Sequence, residues 1–238
     1  MGRGGLAAWH AALFWMAALV GLWLRPCSAI VDELTVTCGS VVKLIHKETS
    51  MHLHSHAIAW GSGSGQQSVT ATGSQNDQGS LWLVKDASNA QSVCEIGQPV
   101  KCGMNLRLEH IQTGKNLHSH LFKAPLSGNQ EVSGFGEQGN GDTGDNWTVV
   151  CDGGAEHWQR KEPVNFVHVD TSKLLFTSER VKFTVSNCGQ GCPIMGQTEV
   201  SVSSRKDAST KWVAGQGVYF PAVAKKDADA GSADGGEL

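Results

Sequence analysis

The sequence lacks a dominant charge and has no basic stripe. Nineteen lysines and arginines stand against 22 aspartates and glutamates, a formal net charge of −3. That balance argues against a nucleic-acid partner, which needs a concentrated positive face. No long apolar run recurs after Leu24, so neither a stop-transfer segment nor a membrane-embedded catalytic portion is expected. Helical periodicity is missing as well: no i, i+3, i+4 face can be drawn through the strongest apolar stretches. Catalysis by acid and base, or by a nucleophile, needs groups within hydrogen-bond reach of one another, and no such constellation stands out. No catalytic residue, metal ligand or cofactor is therefore assigned. From Ala222 onward the chain has no aromatic residue and is mostly alanine, aspartate, lysine and glycine, too little to bury.

What is present begins with a targeting pattern. Arg3 precedes an apolar run from Leu6 to Leu24, broken only by His10 and Gly21, and Cys27-Ser-Ala29 supplies small residues at a cleavage position. A membrane anchor is the alternative reading, since the run approaches bilayer length. Cleavage is favoured because small residues follow at once. A signal peptide over 1–29 is expected, leaving about 209 residues, enough for one all-β domain in the secretory pathway. Loss of Arg3 and Arg25 moves the net charge from −3 to −5.

Cleavage removes one of seven cysteines and leaves an even number, which in a secreted chain points to disulfides. Sequence alone does not fix their connectivity. Repetition along the chain suggests Cys38 with Cys94 and Cys102 with Cys151, each closing one repeat at roughly 4 kcal/mol in the chain-entropy model. Cys188-Gly-Gln-Gly-Cys192 then reads as a local bridge, with metal or redox chemistry as the lesser alternative.

The repeats themselves are the strongest signal. Trp82, Trp147 and Trp212 recur at equal spacing. Cys38-Gly-Ser-Val-Val-Lys-Leu44 is echoed by Cys102-Gly-Met-Asn-Leu-Arg-Leu108, and Leu53-His-Ser-His56 returns unchanged as Leu117-His-Ser-His120. Gly65-Gln-Gln-Ser-Val69 matches Gly128-Asn-Gln-Glu-Val132, while a fainter third copy runs through Phe166, Leu174-Leu-Phe-Thr-Ser178 and Gly196-Gln-Thr-Glu-Val200. Alternation in Asn105-Leu-Arg-Leu-Glu-His-Ile111 and β-branched residues over Thr35–Ile45 predict strands. Thr113-Gly-Lys-Asn116 predicts a turn. Four strands per copy, twelve in all, predict a β-trefoil; one copy alone cannot bury its apolar face or hide its edges. The copies are expected over 35–90, 98–153 and 158–214, followed by a flexible tail over 222–238.

These segments, from about Thr35 to Val213, resemble the stromal-cell-derived factor 2 family of three MIR repeats, also found in protein O-mannosyltransferases. The resemblance implies a resident of the endoplasmic reticulum lumen. It also implies association with a lumenal J-domain co-chaperone, through it with the lumenal heat-shock chaperone, and with misfolded secretory clients. Family members tend to end in a retrieval signal. Here Asp234-Gly-Gly-Glu-Leu238 keeps Glu237 and Leu238 but has glycines at the two positions before them, which predicts weaker retrieval.

Candidate contact residues follow from the same motifs. His54 with His56, and His118 with His120, are i, i+2 pairs that would share a strand face and could clasp a metal. No Cys, Asp or Glu is tied to the motif, so one histidine of each pair is expected to hydrogen-bond backbone instead, with Ser55 and Ser119 facing away. Gln66, Gln67, Asn129 and Gln130 carry amides suited to sugar hydroxyls or peptide backbone, or to bracing their own loops. Trp60 and Phe122 are expected as loop aromatics offering an apolar contact surface, and Trp82, Trp147 and Trp212 as core. Asn146-Trp-Thr148 is a glycosylation sequon whose glycan would crowd the barrel unless Asn146 points out. A lectin-like module reading mannosyl or other glycans, or a non-catalytic relative of O-mannosyltransferases, remains the rival function.

Overall fold

A computed structural model describes residues 34–89 and 93–223. The expected signal peptide, Glu237, Leu238 and nearly all of the tail lie outside the described residues.

The first copy forms β1 (Val41–His46), β2 (His52–Ala59), β3 (Gln67–Thr72) and β4 (Trp82–Asp86). The second forms β5 (Asn105–His110), β6 (Lys115–Lys123), β7 (Gln130–Phe135) and β8 (Trp147–Cys151). The third forms β9 (Pro163–His168), β10 (Leu174–Phe176), β11 (Thr198–Glu199), β12 (Ser201–Ser203) and β13 (Trp212–Val218). β11 and β12 are one strand interrupted at Val200, so thirteen segments replace the expected twelve. The strand expected from Thr35 begins only at Val41. Gly39, at φ +80°, turns the chain there, and Thr35 and Thr37 make single pairings with Gln159 and Pro99 instead.

Antiparallel pairing runs β1–β4–β5–β8–β9–β13 and returns to β1, closing a six-strand ring with no free edge. The second and third strands of each copy pair as a hairpin, and the three hairpins join through β3–β7, β7–β12 and β11–β3. That is a β-trefoil: a barrel covered by a hairpin triplet.

The barrel interior is set by one device used three times. Trp82, Trp147 and Trp212 are fully buried, and the indole Nε1 of each donates to the carbonyl of Leu53 (3.0 Å), Leu117 (2.8 Å) and Leu175 (3.0 Å). Burying an indole body contributes about 5 kcal/mol, and the hydrogen bond removes the cost of desolvating its N–H. Against each indole lies a buried histidine from the end of a barrel strand: His110, His168 and His46, at ring-centroid distances of 5.0, 5.1 and 5.1 Å.

Disulfides join Cys38 to Cys94, Cys102 to Cys151 and Cys188 to Cys192. The last sits in a long insertion between β10 and β11, where Phe183 and Ile194 build a second small core around Trp60. Among the described residues no helix is long and apolar enough to cross a membrane.

Candidate functional site

The hairpin triplet carries most of the motif residues, and two bulges decide where they point. In β2 and β3, Ser55 pairs with Val69 and Ala59 with Gln67, so His56, Ala57 and Ile58 stand opposite Ser68 alone. In β6 and β7, Ser119 pairs with Val132 and Lys123 with Gln130, leaving His120, Leu121 and Phe122 opposite Glu131. A bulge of this kind bends the strand and re-aims its side chains. Phe122 is therefore an exposed strand residue rather than a loop residue, at 53% exposure beside Leu121 at 83%. The His120 ring meets Phe122 edge-on at 5.0 Å, and its Nε2 lies 3.0 Å from Glu131 Oε1.

Glu131 is fully buried and also accepts from the backbone and hydroxyl of Ser64 in the preceding hairpin. Burial raises its pKa, but the hydrogen bonds from His120 and Ser64 outweigh that and hold it below the ordinary carboxylate range. Glu199, the matching residue of the third copy, accepts from Leu126 N and Ser127 N. Burial pushes its carboxyl up in spite of those bonds.

The histidine pairs require a correction. Carboxylates are tied to both motifs, and neither pair hydrogen-bonds backbone through its rings. His118 Nδ1 lies 2.9 Å from Asp145 Oδ1 and 3.6 Å from Asp142 Oδ1. In the first copy, His54 Nδ1 and His56 Nε2 lie 3.8 and 3.9 Å from the two oxygens of Asp77. His54 is held down to a pKa of about 4, first by burial and then by the neighbouring His56. Asp77, Asp142 and Asp207 each cap a short 3-10 turn leading into a repeat tryptophan, and each stands five residues before it. That constant spacing was visible in the sequence and is the signal that locates them.

A glycine makes room for each ring. A Cβ on Gly79 would stand 2.7 Å from His54 Cε1, and one on Gly144 would stand 2.4 Å from His118 Cε1. The third copy has Ser209 at that place and no histidine beneath it, carrying Phe176 and Ser178 instead. Backbone hydrogen bonding belongs to different histidines. His110 Nε2 donates to Gly79 O at 2.9 Å and His168 Nε2 to Gly144 O at 3.0 Å, each ring held by Thr113 or Thr171 at Nδ1. Burial lowers the pKa of both, and of His46 in the third such place.

The amides divide into two kinds. Gln67 and Gln130 are buried braces: Gln67 Nε2 donates to Ser55 Oγ and Thr113 Oγ1, and Gln130 Nε2 to Ser119 Oγ and Thr171 Oγ1. Each ties its own hairpin to the following copy. Asn129 donates to Ser201 Oγ at 3.3 Å, and Gln66 accepts from Ser133 Oγ while remaining half-buried. Trp60 is a second correction. It is 5% exposed, donates to Val132 O at 3.0 Å and packs on Phe183, because the third-copy insertion covers it. The sequon residue Asn146 is buried, accepting from Ser88 N at 2.7 Å and donating to Ser88 O at 3.2 Å, so its amide is taken.

Between the first two hairpins lies a cleft of about 850 Å³, lined by residues that include Ile58, Gln66, Lys115, Phe135 and Glu137. An aromatic ring, an amide and both charge signs meet there on a concave surface.

A MIR domain model matches residues 63–189. Stromal cell-derived factor 2 from Homo sapiens is 45% identical over 202 residues, covering 85% of this chain and 89% of the relative. The chain belongs to the stromal cell-derived factor 2 family. The crystal structure of the SDF2-like protein from Arabidopsis thaliana superposes with a TM-score of 0.72 at 40% identity, covering 79% of this chain and 98% of that one. The protein O-mannosyltransferase Pmt1–Pmt2 complex of S. cerevisiae, solved bound to its sugar donor, matches with a TM-score of 0.64 at 27% identity. The match covers 80% of this chain but 28% of that one. The SDF2-like fold is thus also met as one part of a larger glycosyl-transfer assembly.

Proposed function

We propose that this family member is a non-enzymatic accessory of protein folding in the lumen of the endoplasmic reticulum. It binds a lumenal J-domain co-chaperone, through it the heat-shock chaperone, and misfolded secretory clients. The observation that carries the reading is the pair Leu121 and Phe122, two large apolar side chains exposed side by side on the β6 bulge. Solvent-facing apolar groups of this size mark contact surfaces. The His120–Glu131 contact fixes the bulge, so little ordering cost attends binding.

A second reading rests on the cleft beside Phe135, where ring, amide and carboxylate suit a glycan. Capture of partners from lumenal extract by the tagged mature chain separates the two. A J-domain co-chaperone retained in fixed proportion, unaffected by mannose and lost on Leu121→Ser with Phe122→Ser, is the expected result. Release of mannosylated glycoproteins by free mannose, with capture unchanged by those substitutions, would establish the glycan-binding reading instead.

A further inference from the structure

The first two copies treat the same histidine pair differently. In the second copy each imidazole has a carboxylate of its own: Asp145 for His118 at 2.9 Å and Glu131 for His120 at 3.0 Å. In the first copy Ser80 stands where Asp145 stands, and Ser68 where Glu131 stands. His54 and His56 are left to share Asp77 across gaps of 3.8 and 3.9 Å, too long for hydrogen bonds.

His54 is also poorly satisfied for a buried ring. It is 1% exposed, and its Nδ1, the atom that faces Asp77, has only the long contact to Ser80 Oγ at 3.3 Å. Buried polar atoms in folded proteins are normally paired. The rings of His54 and His56 meet edge to face at 4.2 Å, and the ligand atoms of the two histidines and Asp77 all lie within 4.8 Å of one another.

We propose that His54, His56 and Asp77 form a binding site for one divalent transition-metal ion of the zinc type. Two ligands at about 2.0–2.2 Å from one ion stand roughly 3.4 Å apart when tetrahedral; the three ligand atoms here lie within 4.8 Å of one another, so they need close by at most about 1.4 Å. Asp77 Oδ1 already accepts the Gly79 N–H at 2.8 Å, which leaves Oδ2 for the ion. His54 offers Nδ1 and His56 offers Nε2. His56 is 36% exposed on the bulge, so it can move toward the ion, and water completes the fourth position. Imidazole with one carboxylate favours zinc over calcium or magnesium, which select all-oxygen shells. The ion would fasten the first bulge to the turn before Trp82. Internal carboxylates do the equivalent for the second copy, and the third copy lacks both histidines.

The test is titration of the chelator-treated, oxidised mature chain with Zn²⁺ by calorimetry at pH 7.4, and with Co²⁺ by visible absorption. One equivalent should bind, with the intense absorption of a four-coordinate site. His56→Ala should weaken binding roughly tenfold or more. Asp77→Asn keeps the turn cap while removing the ligand charge and should weaken it likewise. His120→Ala should leave it unchanged. Thermal unfolding of each variant without metal shows that it is folded. Absence of binding at 0.1 mM-scale (~10⁻⁴ M) Zn²⁺ would overturn the proposal, because mass action at that level detects any specific site of useful affinity. Equal loss with His120→Ala would overturn it too.

Discussion

Lowering the pH from about 7.2 to about 5.5 is expected to destabilise the folded domain steeply, with buried histidines as the cause. His46, His54, His110 and His168 are almost completely buried, and burial holds each below its ordinary value of 6.5. His52 is lowered in the same way, by burial and then by Lys43. The unfolded chain takes up protons as the pH falls through 6.5 and the folded chain does not. Their contribution to stability is therefore present above 6.5 and is lost below it, until the folded pKa is reached.

For His54, lowered to about 4 by burial, His56 and His110 against the opposing pull of Asp77, the full difference corresponds to about 3.4 kcal/mol. About 1.4 kcal/mol of that is lost by pH 5.5. Each of the other rings adds a loss of the same sign, no larger than about 1.4 kcal/mol at that pH. A total of several kcal/mol is large against the roughly 5–15 kcal/mol that holds a typical domain together. Two carboxylates bound the window. Glu131, held below its ordinary 4.5, loses its contribution only at lower pH, whereas Glu199, raised by burial, gains relative stability as it protonates.

The assay is urea unfolding followed by tryptophan fluorescence, metal-free and with disulfides intact, at both pH values for the wild type and His54→Gln. Whatever the substitution costs at pH 7.2 cancels in the difference between the two pH values. That difference should shrink by about 1.3 kcal/mol in the variant. A wild type whose stability is the same at both pH values, or a variant with the full wild-type loss, would refute the reasoning.

Trp60→Ala should cost about 3–5 kcal/mol, because it empties the second core against Phe183 and Ile194 and leaves Val132 O without its donor. Phe122→Ser, on the exposed bulge, should change stability by less than about 0.5 kcal/mol; denaturation midpoints of the two variants settle this, and equal costs would contradict the burial described. Among the disulfides, removing Cys102–Cys151, at a separation of 49 residues, should cost about 4 kcal/mol in the chain-entropy model. Removing Cys188–Cys192, at a separation of 4, should cost about 2 kcal/mol. Double Cys→Ser variants compared by urea midpoint test the ordering, and a larger loss at the short bridge would reverse it.

The number of copies was legible because period is a property of sequence alone: three tryptophans at equal spacing require three like environments, and only closure supplies them. Exposure was not legible wherever the covering group comes from another copy. Trp60 follows a polar-rich hairpin and is succeeded by Gly61-Ser-Gly-Ser-Gly65, which reads as surface, yet Phe183 and Ile194 lie more than a hundred residues away. The bulges were hidden for a related reason. Leu53-His-Ser-His56 alternates as a regular strand does, and nothing in those letters says that Ser68 will face three residues instead of one.

Contacts that hand over from one copy to the next explain why the sequence left the amides open between bracing and recognition. Gln67 reaches Thr113, Gln130 reaches Thr171, His110 reaches Gly79 and His168 reaches Gly144. Each residue is repeated at the right interval, but its partner lies in a neighbouring copy, so comparing copies in register reveals the residues and conceals the bond. The aspartates five residues before each tryptophan show the opposite case. They stand in register in the sequence, inside glycine-rich connections rather than within the histidine motifs themselves. A search for polar residues at fixed offset from a repeated core residue would have found Asp77, Asp142 and Asp207 together. The absence of histidines beside Asp207 would then have separated its role as a turn cap from the further role of Asp77 beside the first histidine pair.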